Sequence, residues 1–215
     1  MDITKEDLLK RYFEEKLNIS SSLIEWTKYY ETDQDFLYEL YDLITKGEKE
    51  IKDEDNGFEF SKENGLWSIA GEVEAIEIPE SDFKKTIQIT ADMYEPMLPN
   101  GTIVDLKKDK MSENMRATSA DNVRLIVQSR YSYTDAAPVY FPYGGSVYPF
   151  GTLAGHQLLF FTPNLIEEVI FWGYRDEQEE SFELALKEEL LIDEELMSVS
   201  FADESDQAAF AESIF

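Results

Sequence analysis

The side chains that do most of the work in catalysis are nearly absent from this sequence. It holds one histidine, His156, and no cysteine. Histidine-cluster metal sites, thiolate zinc sites, disulfides and cysteine nucleophiles therefore cannot be built from it. A Ser–His–Asp arrangement would have to use His156, and no G-x-S-x-G turn presents a serine. The context Gly155-His156-Gln157 reads as structural or exposed. No G-x-x-x-x-G-K-[ST] or G-x-G-x-x-G stretch is present to cradle a phosphate. Residues 52–63 echo a calcium loop, with Gly57 and Glu63 correctly related, but Lys52 stands where the first carboxylate ligand belongs. What remains is 46 Asp+Glu against 19 Lys+Arg. Carboxylates are too abundant for spacing to single out any acid/base pair, so a glycosidase-type dyad would be invisible in the sequence. The expectation is a protein that is not an enzyme and uses no metal or cofactor. A hydrolase working with carboxylates alone is the rival.

The second chemistry is recognition. Between Tyr131 and Phe150 the chain is rich in Tyr, Pro and Gly, and Gly144-Gly145 reads as a hairpin tip. Tyr131, Tyr133, Tyr140, Tyr143 and Tyr148 are many phenols for one core, because each buried hydroxyl needs a partner. Some are expected at the surface, where Tyr is favoured in interfaces. Tyr140, Phe141, Tyr143, Tyr148 and Phe150 are the candidate partner-binding residues. Packing of the same rings inside a sheet is the alternative.

Charge sharpens this reading. The net charge of −27 is carried by the two ends. Residues 1–95 hold 25 acids and 11 bases, and residues 165–215 hold 16 acids and 2 bases. Residues 111–164 hold 3 of each and are neutral. Such a surface repels phosphates, which argues against nucleic acid and anionic membranes as partners. The acidic flanks are either solvated helix faces or steering surfaces for a basic partner.

A scaffold must hold these groups, and the periodicities outline one. The 215 residues, 43% hydrophobic and 13% aromatic, suffice for a real core in one or two domains. Thr4 and Asp7 form a weak capping box before Leu8, Leu9, Tyr12, Phe13 and Leu17 at helical spacing. Leu23, Ile24, Trp26, Thr27 and Tyr30 predict a second helix. A third runs from Thr32 through Phe36, Leu37, Leu40, Tyr41, Leu43 and Ile44 to Gly47. Residues 48–56 read as a charged linker. From Gly57 the period is two, with Asn64-Gly65 as a hairpin turn and a third strand before Pro79. Ile87 and Ile89 suggest a further strand. Pro99-Asn100-Gly101 is a turn, followed by a strand at 102–106, a loop at 108–122 and a strand at 123–127. Residues 157–161 predict another strand, and Thr162-Pro163 opens a short helix. Val169-Ile170-Phe171-Trp172 reads as a buried strand closed by Gly173. Leucines among acids after Asp176 predict a helix.

The fold class is therefore α+β. Helices occupy residues 1–50, and an α+β domain fills 57–200. Its mainly antiparallel sheet is able to close into a small barrel, and a C-terminal helix follows. Residues 201–215 are expected to fray. No run of about 18 apolar residues crosses a bilayer. The N-terminal sequence has no apolar h-region, so no signal peptide is expected.

Five stretches in fixed order carry a resemblance. They are Met97-Leu98-Pro99-Asn100-Gly101-Thr102-Ile103-Val104-Asp105-Leu106, Arg124-Leu125-Ile126-Val127, Tyr140-Phe141-Pro142-Tyr143-Gly144-Gly145, Tyr148-Pro149-Phe150-Gly151, and Ile166 through Trp172-Gly173-Tyr174 to Glu177. Residues 97–190 resemble a domain family of unknown function encoded in LXG polymorphic toxin and type VII secretion loci of Gram-positive bacteria. The loop at 108–122 is longer than that family's pattern, and the N-terminal 95 residues lie outside it. The resemblance supplies no catalytic residues. It implies a cytoplasmic accessory, a chaperone or targeting factor, that binds a cognate LXG toxin for secretion. The alternative it implies is an immunity protein that neutralises the toxin's C-terminal domain. No tryptophan is followed two residues on by glycine, as an exported substrate's W-x-G turn would require. The Y-x-x-x-[DE] spacings at Tyr29 and Tyr38 are too common in an acidic, Tyr-rich chain to signal export. The protein is expected to stay in the cytoplasm.

Overall fold

The computed structural model describes residues 3–17, 22–110, 123–152 and 158–214. His156, Gln157 and residues 111–122 of the long loop lie outside them. The chain divides into two compact units. The first comprises Met1–Glu95 with Leu186–Glu195, and the second Pro96–Ala185 with Leu196–Phe215.

In the first unit, the Thr4 side chain accepts the Asp7 amide and the Asp7 carboxylate accepts the Thr4 amide, so the capping box is complete. Helix α1 (Lys5–Tyr12) follows and widens into a π-turn over Phe13–Leu17. Helices α2 (Ser22–Thr27) and α3 (Asp35–Thr45) come next. Gly47, at φ 91°, takes the left-handed position past the end of α3 that suits glycine.

Four strands then form an antiparallel meander: β1 (Glu50–Asp53), β2 (Phe58–Glu63), β3 (Leu66–Ala70) and β4 (Ile76–Pro79). Asn64 (φ 51°) and Gly65 (φ 84°) turn β2 into β3, both in the left-handed region that a two-residue hairpin demands. Burial alternates along each strand, and the cross-strand row Ile51, Phe60, Ile69 and Ile76 faces inward. Strand β1 lies inside the segment expected to be a charged linker. Its alternation of Ile51 and Asp53 with exposed Glu50 and Lys52 is the two-residue period, hidden by the charges.

The expected strand at Ile87 and Ile89 is instead part of helix α4 (Glu80–Tyr94). Phe83, Ile87, Thr90 and Tyr94 recur at helical spacing, and Glu80 and Asp82 sit in the first turn, where carboxylates favour the helix dipole. Every residue from Thr86 to Tyr94 is buried, so this part of the helix is enclosed on all sides and shows little amphipathic pattern.

The second unit holds one six-stranded sheet. Its strands are β5 (Ile103–Leu106), β6 (Val123–Tyr133), β7 (Val139–Val147), β8 (Leu159–Phe161), β9 (Ile166–Phe171) and β10 (Met197–Ser198). The order is β10-β7-β6-β5-β9, with β8 also on β7. All pairs are antiparallel except β10 with β7. The sheets of both units are open, and no barrel closes among the described residues. Leu98, Val104, Leu106, Val123, Leu125, Val127, Tyr143 and Phe161 form the core. Helix α5 (Glu177–Lys187) follows β9, and helix α6 (Glu204–Ile214) ends the chain. The tail expected to fray is thus helical. Asp203 caps it through the Ser205 and Asp206 amides, and Phe210 packs with Ala137 and Val139.

Candidate functional site

Two of the five aromatic candidates are core residues. Tyr140 and Tyr143 are each 1% exposed. Tyr140 stacks on Tyr131 at 4.6 Å, and the Tyr143 hydroxyl finds two partners. It donates to the Pro96 carbonyl (3.0 Å) and accepts the Leu98 amide (3.2 Å). The phenol therefore pins the segment entering the second unit. Phe141 is half-buried between Phe160 and Phe210. Only Tyr148 and Phe150, in the turn after β7, are exposed.

The expected hairpin tip is absent too. Gly144 and Gly145 lie inside β7, between β6 and β8. They are glycines because of close approach: a Cβ on Gly145 would sit 2.7 Å from the Ile126 carbonyl oxygen, and one on Gly144 would press on Phe160 and Ser129. The pair reads in sequence as a turn because both reasons for glycine look alike there.

A further exposed run lies on β9 and just past it. Ile170, Phe171, Trp172 and Tyr174 are 40, 59, 51 and 80% exposed, although Val169-Ile170-Phe171-Trp172 was expected to be buried. Strand β9 pairs only with β5 and forms an edge of the sheet among the described residues. Val169 packs against the core, while Phe171 stands in register with the half-buried Ile103 and Ile126. A continuous apolar run looks the same whether its strand is central or terminal, so sequence offered no signal for this exposure.

A rigid frame holds the run. The Thr102 amide donates to the Pro99 carbonyl at 3.1 Å, closing the turn at residues 99–102, and Gly101 (φ 84°) donates its amide to the Val127 carbonyl at 2.8 Å, tying that turn to β6. The Thr102 hydroxyl donates to the Pro99 carbonyl (2.6 Å) and accepts the Gly173 amide (3.0 Å). A Cβ at Gly173 would lie 2.4 Å from the Asn100 carbonyl oxygen. Glycine is therefore required where β9 leaves the sheet, and this contact fixes the backbone between Trp172 and Tyr174. Beside the strand, Arg124 forks onto Asp105 at 2.7 and 2.8 Å. Arg175 pairs with Glu183 (3.0 Å) and Glu180 (3.5 Å). Both cations next to the exposed run are thus already neutralised.

The first unit contains a different chemical feature. Lys187 is fully buried and donates to the carbonyls of Met93 (2.8 Å) and Glu95 (2.5 Å), capping α4. Burial pushes the Glu95 carboxyl up to about 7, against the pull of Lys187 and with Asp92 and Asp35 adding to the rise. Tyr38 donates to it at 3.4 Å. A hollow of about 300 Å³ is found on the outer face of the first sheet, lined by Ser61, Glu63, Asn64, Leu66, Ser68 and Glu77. The raised carboxyl and the hollow do not coincide. No helix among the described residues is long and apolar enough to cross a membrane.

No curated protein and no solved structure matches the chain. Residues 97–182 match the model of a family described as a domain of unknown function, DUF4176, a span that takes in β5 to β9 with the Thr102–Gly173 frame and the exposed aromatic run.

Proposed function

We propose that this protein is a cytoplasmic, non-enzymatic accessory of type VII secretion that holds a cognate LXG toxin as a chaperone or targeting factor. The observation that carries the binding role is the run Ile170–Phe171–Trp172–Tyr174, exposed and fixed around a glycine that tolerates no side chain. Rigid aromatics at a surface are efficient anchors, because they bury large area at little conformational cost. The resemblance of residues 97–190 to a family of LXG toxin loci supports the nature of the partner. The test is co-purification with the separately expressed halves of an LXG toxin from the same locus. Capture of the N-terminal, export-bearing half is the expected result, and deletion of the protein should then lower toxin secretion. Capture of the C-terminal toxic half alone would make it an immunity protein. Capture of neither half would overturn the proposal.

A further inference from the structure

We infer that the β9 edge, from Glu167 to Tyr174, is the docking surface for a partner segment that combines apolar side chains with Arg or Lys. The inference rests on the binding role proposed above and adds the place and chemistry of the contact. Its apolar half is the run of four exposed side chains already described. Its charged half is acidic: residues 166–185 hold seven acids and one base, Arg175. Glu167 and Glu168 are exposed on the strand itself, and Glu177 and Glu180 are exposed just beyond it. Arg175 and Arg124 are occupied by Glu180, Glu183 and Asp105, so they offset little of this field for an incoming partner.

The same features disfavour a second copy as the occupant. Two acidic edges brought together would place like charges opposite each other. The pairing of β9 with β5 is also irregular. Phe171, Val169, Glu168 and Ile166 have partners on β5, while Ile170 and Glu167 fall at register shifts. Such bulges and edge charges are how sheets discourage self-pairing. A basic segment meets no such repulsion, and its apolar residues gain the rings of Phe171, Trp172 and Tyr174.

Trp172 provides the reading. The chain has three tryptophans, and Trp26 and Trp67 are fully buried, so quenching by a soluble agent reports on Trp172. The experiment titrates the full chain with a short synthetic peptide alternating Leu with Lys and Arg, beside a control peptide with Glu in place of the cations. The cationic peptide should shield Trp172 and shift its emission to the blue, while the Glu peptide does neither. The double variant F171S/Y174S and the separate variant E167K should each weaken binding, the former by at least about tenfold, and added salt should weaken it further. Equal binding of both peptides, no binding, undiminished binding by F171S/Y174S, or a dimer in sedimentation that this variant abolishes would each overturn the inference. The two proposals fail separately. A toxin half captured equally by wild type and F171S/Y174S removes this surface and leaves the function. Peptide binding as described, with neither toxin half captured, removes the function and leaves the surface.

Discussion

The first unit buries its large rings, and the second displays several of its own. Trp26 lies 5.1 Å from Tyr30, 6.2 Å from Phe60 and 6.1 Å from Phe83, and Trp67 lies 5.5 Å from Phe83. These rings fill the space between a sheet face and an enclosed helix. Phe171, Trp172 and Tyr174 are the same kinds of residue, yet a terminal strand and a glycine-bound backbone present them to solvent. The difference teaches that residue type does not decide between core and exposed surface here. The position of the strand in its sheet does. If that is correct, the two sets should separate cleanly when cut back: one should control stability, the other association.

The largest effect is expected in the first unit. Trp67→Ala should destabilise the protein by about 3–5 kcal/mol in denaturant unfolding. Trp172→Ala should change stability by no more than about 0.5 kcal/mol. Equal losses would break the comparison.

Glu95 tests whether the enclosed end of α4 carries a cost. Its carboxyl is protonated in the folded state up to about 7 but ionises near 4.5 when unfolded. Between those values the native state holds the extra proton, so this group's contribution falls as pH rises through the window. The loss is about 2–3 kcal/mol by the alkaline end. Glu95→Gln should flatten this slope relative to wild type, measured as the denaturant midpoint across the window. An unchanged slope would mean that the carboxyl is ionised in the native protein, held by Lys187.

Gly173→Ala should cost about 1–3 kcal/mol, because the new methyl meets a backbone carbonyl rather than a movable side chain. Limited proteolysis near residue 173 should report the loosened strand end. Tyr143→Phe removes one donor and one acceptor at the Pro96–Leu98 segment and should cost about 1 kcal/mol in the same unfolding assay. A neutral Tyr143→Phe would show that the ring alone anchors the segment.

These residues also show what was legible in the sequence. The capping box at Thr4, the Asn64-Gly65 hairpin and the turn at Gly101 were readable because local backbone chemistry sets them. Helix α4 was misread because full enclosure erases amphipathic spacing, leaving Ile87 and Ile89 to mimic a strand. Helix α6 was missed because its apolar residues, mostly alanines, show no helical period, although Phe210 packs with Ala137 and Val139. The site suffered most. That aromatic rings would reach the surface of the second unit was deducible from the number of phenols, but which ones was not. Tyr143 finds its hydroxyl partners on a distant segment, and Ile170–Tyr174 lie on and just past a strand that is terminal in its sheet among the described residues.

Co-purification of the LXG toxin halves with wild type, Y143F and the triple variant F171A/W172A/Y174A, run beside thermal unfolding, tests the central claim most directly. The triple variant should unfold near the wild-type temperature yet retain no more than about one tenth of the captured toxin. Y143F should unfold earlier and, where still folded, capture as much as wild type. Undiminished capture by a folded triple variant would contradict the claim that these rings are a contact surface.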